Sequence, residues 1–543
     1  MALFGVETEY AVCGVGRNGP RLDQQTLVKC LIGLAKKQLP TLPEVGGWGL
    51  YLSNGSRFYV DAGLHPELAT PEVNSPVDLV RYIVAGEQFL AKLIQEVARD
   101  SGGKSQVMCF RCNVDYGGTR STWGCHESFL HRAGASAMLE QMIPHLVTRI
   151  IYTGAGGFDS TSLGVRFLLS PRVPHLVKVV SSSSTSERGI FHDKDEPLSG
   201  KGFHRLHILS GESLLSHRAM WLKAATTALI VALIDAGFQP GTAVRLQSPI
   251  QAMWTIAADP ACKASITLAN GSQSSAIAVQ RHYLDLVEEH VEELFAPDWA
   301  AEVCRQWRQT LDLLESAPES LATMLDWVLK LQLYRNRARK RGMAWESLTR
   351  WNPVVERLQA ALNQTPHARD RVTSDLLLGP KSPIRDEVQA LTPTLDSHGL
   401  DWGDLGAFLA LRRELCEIDM RFGQLHEQSI FSRLDRAGLL SHRVPGVDRI
   451  EDAIVNPPSY GRARLRGEVI ARLAGHNGRY LCDWQSVWDQ VDSRFLDLSN
   501  PFSTEEHWRE ASGDEGVMAA LSQFGPNFRA AWMRRSRARN SVG

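Results

Sequence analysis

Carboxylates, a guanidinium and a phenol recur with a period of two in two short stretches of the chain, the spacing at which side chains leave a β-strand from one face. Asn54-Gly55 is a turn pair, and after it Arg57, Tyr59 and Asp61 fall on one face while Phe58 and Val60 fall on the other. A Gly-containing bend then leads to Glu67 and Glu72. A cation, a phenol and carboxylates gathered in this way suit a site that holds a metal ion and an anionic phosphate chain. The same alternation also describes a half-buried edge strand with a solvated polar face. Near the amino terminus, Glu7 and Glu9 share a face of Phe4-Gly5-Val6-Glu7-Thr8-Glu9. Two carboxylates side by side repel unless a cation or solvent lies between them. Mg²⁺ takes a near-octahedral shell of oxygens, usually a few carboxylates completed by nucleotide phosphates. Glu7, Glu9 and Glu67 could supply that.

These strands need elements to hold them. Residues 21–39 read as a helix, and residues 48–53 as the approach to the central strand. Ser75, Pro76 and Asp78 form an N-cap, a first-turn proline and an acidic first turn. Val80, Ile83, Val84, Leu90, Ile94 and Val97 follow at helical spacing up to Gly102-Gly103. A further helix is predicted over 128–153, a strand over 165–170 with Arg166 on its polar face, a loop over 181–188 and a strand after Phe203. Helices are predicted over 213–236, 280–295, 300–314 and 321–341. Residues 345–415 carry Pro353, Pro366, Pro380, Pro383 and Pro393 between short helical pieces.

Cys109, Cys112, Cys125 and His126 raise a zinc site, but Val107 to Asn113 reads as a strand, on which residues three apart face opposite ways. The functional groups expected there are Asn113, His126 and Glu127 on a sheet edge; His126 taken alone reads as a satisfied core histidine. Arginines clustered with Phe528 and Trp532 over 529–539 read as a frayed basic end, with RNA binding as the other reading.

A chain of 543 residues can bury a large core and has room for more than one domain. A net charge of −1 gives no global attraction to nucleic acid or an anionic membrane. Apolar runs fall short of the roughly 20 residues of a membrane span, and Met1-Ala2-Leu3-Phe4 lacks the basic start of a signal peptide. Nine scattered cysteines, mostly in apolar runs, fit a reducing compartment. A cytoplasmic location is expected.

The blocks Gly5-Val6-Glu7-Thr8-Glu9-Tyr10 and Asn54 to Glu72 closely resemble the Pup ligase and Pup deamidase/depupylase family, carboxylate-amine ligases with a glutamine-synthetase-like fold. Phe110 to Asp115, Gly124 to Glu127, Asp195-Glu196-Pro197 and Arg205-Leu206-His207 agree in order. So do Asn456 to Glu468 and Cys482-Asp483-Trp484, which look like that ligase's small carboxyl-terminal domain. Much of 345–415 has no counterpart in the pattern and reads as a surface or partner-binding insertion. Lys194 and His204 stand where the family usually has arginine.

The resemblance implies an α+β fold. A large catalytic domain over 1–440 would cradle ATP on an antiparallel sheet with helices outside, and a small domain over 441–543 would close on the nucleotide. It implies Mg²⁺ on Glu7, Tyr59 and Glu67, ATP contacts from Arg57, Thr70 and Trp484, and Asp61 as the base. Arg205 is the candidate to grip the substrate carboxylate; an ion pair with Asp195 or Glu196 is its other reading. The implied reaction joins the terminal glutamate side chain of a small disordered modifier, Pup or a relative, to protein lysines through a glutamyl phosphate, marking them for the proteasome. The short link from Val12 to Asn54 and the run Asp61 to His65 look like the ligase branch. The alternatives are a deamidase/depupylase and a small-molecule glutamate-amine ligase.

Overall fold

The computed structural model describes residues 3–16, 22–61, 63–100, 105–183, 187–193, 198–292, 297–364, 382, 384–476, 478–491, 494–503 and 525–526. Its centre is a nine-stranded sheet formed by β1 (Phe4–Glu9), β2 (Thr41–Pro43), β3 (Leu50–Leu52), β4 (Arg57–Val60), β5 (Pro66–Ala69), β6 (Cys125–His131), β7 (Lys178–Ser181), β8 (Gly189–His192) and β9 (His204–Ile208). The strand order is β7-β8-β9-β6-β1-β5-β4-β3-β2. Only the β7–β8 pair is parallel. The middle strand is therefore β1. The approach read at residues 48–53 becomes β3, one strand in from an edge.

In β1 the buried residues Phe4, Val6 and Thr8 alternate with Gly5, Glu7 and Glu9. Phe4, Val6, Phe58, Leu68, Phe129 and Leu206 join one core with helices α1 (Pro76–Asp100) and α2 (His217–Asp235). One sheet face is thus committed to packing, and the other keeps the acidic residues. Helix α1 buries Leu79, Val80, Ile83, Leu90, Leu93, Ile94 and Val97, the face its periodicity predicts. Helix α2 is buried nearly all round. It is apolar and long enough to cross a membrane, which the reading of apolar runs overlooked, yet 83% of its apolar window is buried in the protein. Residues 128–131 continue β6 instead of starting a helix, which begins at Ala135. The strand predicted over 165–170 shrinks to Phe167–Leu168, and Arg166 pairs with Glu356 at 2.8 Å.

Described residues of the 345–415 region build a second core together with segments outside it. Trp351, Val354, Leu358, Leu395, Phe408 and Leu411 pack with Phe158, Val165 and Tyr334. Pro353 and Pro393 stand in the first turns of helices, where a missing N–H costs nothing; Pro366, Pro380 and Pro383 lie outside the described residues. Asp419 ties the region inward by accepting hydrogen bonds from Tyr116 at 2.7 Å and Tyr334 at 3.0 Å and pairing with Lys330.

Toward the carboxyl end, α3 (Gly461–Leu473) packs on strands Tyr480–Cys482, Ser486–Asp489 and Arg494–Asp497. Leu465, Val469, Ile470, Cys482, Val487 and Leu496 share a core with Leu42 and Tyr51 of the large sheet. The arginine-rich tail read as a basic end lies outside the described residues.

Candidate active site

Register builds the polar face of the sheet. Glu67 on β5 stands opposite Glu9 on β1 and Tyr59 on β4, forming a cross-strand row of two carboxylates and a phenol. One position along, Glu7 stands opposite Ala69 on one side and His126 on the other, with Arg57 beyond Ala69. The ligand atoms of Glu7, His126 and His207 lie within 4.8 Å of one another, and so do those of Glu9, Glu67 and His126. Burial, then the charges of Glu7 and Glu9, push the Glu67 carboxyl well above its usual range. Burial, then the Glu67 and Glu7 charges, do the same to the Tyr59 phenol. Burial alone would raise Glu7 as well, but His126, with Nδ1 3.9 Å from the carboxylate, then His207 and Arg205 hold it well below the carboxylate range. Glu67 and Tyr59, each pushed up by neighbouring acids, mark the end of the cluster that is short of positive charge, and the donor set of carboxylates and a phenol fits a hard divalent cation.

Asp61 lies just past β4. Its carboxylate accepts from the His65 backbone N–H at 2.7 Å and faces His65 Nδ1 at 3.1 Å. The turn between them closes through Leu64 in the left-handed region, φ 61°. Burial raises the Asp61 pKa, but the His65 bonds outweigh it and hold the group ionised below the usual range. His65 Nδ1 is also 4.0 Å from Glu9, so Asp61, His65 and Glu9 form a second cluster beside the acidic row.

A cleft of about 440 Å³ opens on this face, lined by Glu7, Glu44, Trp48, Arg57, Arg205 and Trp484 among others. A smaller adjoining cleft adds Thr70 and again touches Glu7, Arg205 and Trp484. The structure therefore gathers Glu7, Arg57, Thr70, Arg205 and Trp484 on two clefts that share Glu7, Arg205 and Trp484, with Tyr59 and Glu67 on the same sheet face. Arg57 pairs with Glu44 at 2.6 Å and lies 3.6 Å from the centre of the Tyr59 ring. Thr70 Oγ accepts from the Val6 N–H at 3.2 Å, fixing its side chain at the wall. Arg205 bears on Glu7 electrostatically; Asp195 and Glu196, its other expected partners, lie outside the described residues, as does Lys194.

Several expectations change. Glu72 is not part of the acidic row but pairs with Arg462 and Arg466 of α3. Glu127 leaves β6 on the packed face, where it takes Arg149 through both oxygens, at 2.6 and 3.0 Å, with Lys223 Nζ 3.8 Å away. Asn113 is a backbone clamp, exchanging two hydrogen bonds with Ser213. Nor is β6 an edge; it runs between β9 and β1. His126, read alone as core, is buried but belongs to the acidic face, because neighbours on a strand face opposite ways. Burial pushes the Cys109 and Cys112 thiols up, the wrong direction for zinc thiolates. His207, His65 and Glu44 are additions. The alternation Arg205-Leu206-His207 was the available signal for His207; Glu44 had none, since only the β2–β3 hairpin brings it to Arg57.

A family model described as Pup-ligase protein matches residues 2–359 and 388–488. The unmatched gap is narrower than the 345–415 set apart by sequence. The chain is 30% identical over 520 residues to the Pup–protein ligase of Kribbella flavida, covering 93% of this chain and 97% of that protein. It is 29% identical over 494 residues to the Pup–protein ligase of Rhodococcus erythropolis, covering 89% and 92%. Among solved structures, the complex between the prokaryotic ubiquitin-like protein Pup and its ligase PafA aligns with TM-score 0.70 at 20% identity, over 96% of this chain and 93% of that one. PafA in complex with ADP aligns with TM-score 0.65 at 20% identity, over 94% and 96%. The shared fold is a mixed α+β one, with helices on a large, mostly antiparallel sheet.

Proposed function

Because the chain belongs to the Pup-ligase family, we propose that it is an ATP-dependent carboxylate-amine ligase that joins the side-chain carboxylate of a modifier's terminal glutamate to protein lysines. The observation that carries this is the convergence of Arg57, Arg205 and Trp484 with Glu7 on one cleft, beside the row Glu9–Glu67–Tyr59. A carboxylate is a poor electrophile until its oxygen becomes a leaving group, and phosphorylation by ATP supplies one. Arg57 and Thr70 hold the phosphate end of the nucleotide, and Trp484, on the small domain read over 441–543, stacks at the base. Glu7, Tyr59 and Glu67 would hold Mg²⁺, which neutralises charge on the transferring phosphate. Arg205 pairs with the modifier's carboxylate through two parallel hydrogen bonds. Asp61, kept ionised by His65, takes the proton from the attacking lysine ammonium.

The relatives named as ligases, and the short connection from Val12 to Asn54, favour ligation over deamidation. The modifier is a small Glu-ended disordered protein of the Pup type, conjugation marks targets for the proteasome, and the setting is the reducing cytoplasm, in keeping with nine free cysteines. The test is trapping. Incubated with Mg-ATP, a Glu-ended modifier and hydroxylamine, with no protein target, the enzyme is expected to give a modifier hydroxamate and stoichiometric ADP. ADP formation without hydroxamate would remove the acyl phosphate from the account.

A further inference from the structure

Among the described residues, Trp48 is the one aromatic side chain among the exposed large hydrophobics, at 60% exposure. Singly exposed apolar residues are ordinary on protein surfaces, but this one stands on a built support. The arm 41–48 is tied at both ends of the cleft: Glu44 pairs with Arg57 at 2.6 Å, and the Val45 N–H donates to the Cys482 carbonyl at 3.1 Å, two residues before Trp484. The second Glu44 oxygen accepts from the Gly49 N–H at 3.2 Å. Gly46 turns through φ 71°, and a Cβ on Gly47 would displace the Glu44 carboxylate from where it stands, so glycine at both positions suits this fold of the arm around Glu44. The result is an indole held on a short, pinned turn, lining the same cleft of about 440 Å³ as Trp484. Lys29 Nζ lies 5.8 Å from its ring centre.

We propose that Trp48 is a second stacking wall for the nucleobase, so that the base is received by Trp48 and Trp484 while Arg57, fixed by Glu44 from the same arm, receives the phosphates. This rests on the nucleotide reading of the cleft given above. Indole stacking is worth about 1–3 kcal/mol per base and tolerates any base, since every base has a π-face. The arm therefore sets the demand for a base more than the choice of adenine. Because Glu44 meets both Arg57 and the turn that carries Trp48, base and phosphate positions are coupled through one carboxylate.

The test uses the full-length protein and calorimetric titration with Mg-ADP, Mg-ATP and inorganic tripolyphosphate. Trp48→Ala is expected to weaken both nucleotides by roughly 5- to 150-fold and to leave tripolyphosphate, which has no base, unchanged. Trp48→Phe, which restores an aromatic face, is expected to recover most of the loss. Equal nucleotide affinities in wild type and Trp48→Ala would overturn the stacking role while leaving the nucleotide site standing. Equal losses for ATP and tripolyphosphate would make Trp48 a structural support of the arm and overturn it too. A wild type that binds no adenine nucleotide at all would overturn the reading beneath it, and the proposal with it.

Discussion

Replacing Glu72 by Gln removes the one carboxylate shared by two buried arginines. Arg466 is fully buried and the Arg462 side chain is 5% exposed. Glu72 accepts from Arg462 Nε at 2.7 Å and from both terminal nitrogens of Arg466. After the substitution Arg466 keeps the Gly55 carbonyl at 2.8 Å, and Arg462 keeps the Leu498 carbonyl at 3.2 Å. Removing one partner of a buried pair costs roughly 3–5 kcal/mol, and the retained carbonyls place this case near the lower end, about 3 kcal/mol. The pKa gives an independent figure. Burial would raise Glu72, but the two arginines dominate and bring it from 4.5 to about 2. At 1.36 kcal/mol per unit that again amounts to about 3 kcal/mol. Since the folded value lies below the unfolded one, this contribution is fully present above pH 4.5 and is lost as pH falls toward 2. The Arg466 guanidinium lies 4.7 Å from the Trp484 ring, so the same change loosens one wall of the cleft. Urea unfolding from pH 3 to 7 and ADP titration are the assays. Glu72→Gln is expected to lower the unfolding midpoint at pH 7, to flatten its fall below pH 4.5 and to weaken ADP. A variant with the wild-type midpoint, acid slope and ADP affinity would refute this role for the pairing of Glu72 with Arg462 and Arg466.

Asp61→Asn is expected to leave ATP binding nearly intact and to slow conjugation by roughly 10²–10⁴-fold, since an amide cannot take the lysine proton; conjugation at the wild-type rate would remove Asp61 from the mechanism. Glu67→Gln removes the middle member of the Glu9–Glu67–Tyr59 row and is expected to raise the Mg²⁺ concentration needed for ATP turnover, which a Mg²⁺ titration checks. Phe408→Ala, at a fully buried position in the core of the 345–415 region, is expected to cost about 3–5 kcal/mol in an unfolding titration while sparing ADP affinity. Loss of ADP binding in that folded variant would make the region part of the active site.

Much of the site was legible because its signal is local. Period-two alternation placed Glu7 with Glu9 and Arg57 with Tyr59, and the structure keeps both pairs on the polar face. What stayed hidden depends on register and on contacts between distant segments. Glu72 resembled one more acidic residue until α3, nearly 400 positions later, supplied Arg462 and Arg466. Glu127 next to His126 looked like a pair, yet strand geometry sends the first to Arg149 and the second to Glu7. The 345–415 region read as a surface or partner-binding insertion because much of it has no counterpart in the family pattern; that Pro353 and Pro393 start helices packed on a shared core was not legible. Central and edge strands could not be told apart, because strand order is a long-range property: β6 and β3 were each misplaced for that reason.

The most direct test of the central claim is a paired reaction of the purified protein with Mg-ATP, read by mass spectrometry. One arm contains a Glu-ended modifier and a lysine-bearing target, the other a Gln-ended modifier. The account requires an isopeptide-linked conjugate and one ATP consumed per conjugate in the first arm, with no ammonia released in the second. Ammonia from the Gln-ended form, without conjugate from the Glu-ended form, would contradict it and make Asp61 the group that attacks the amide.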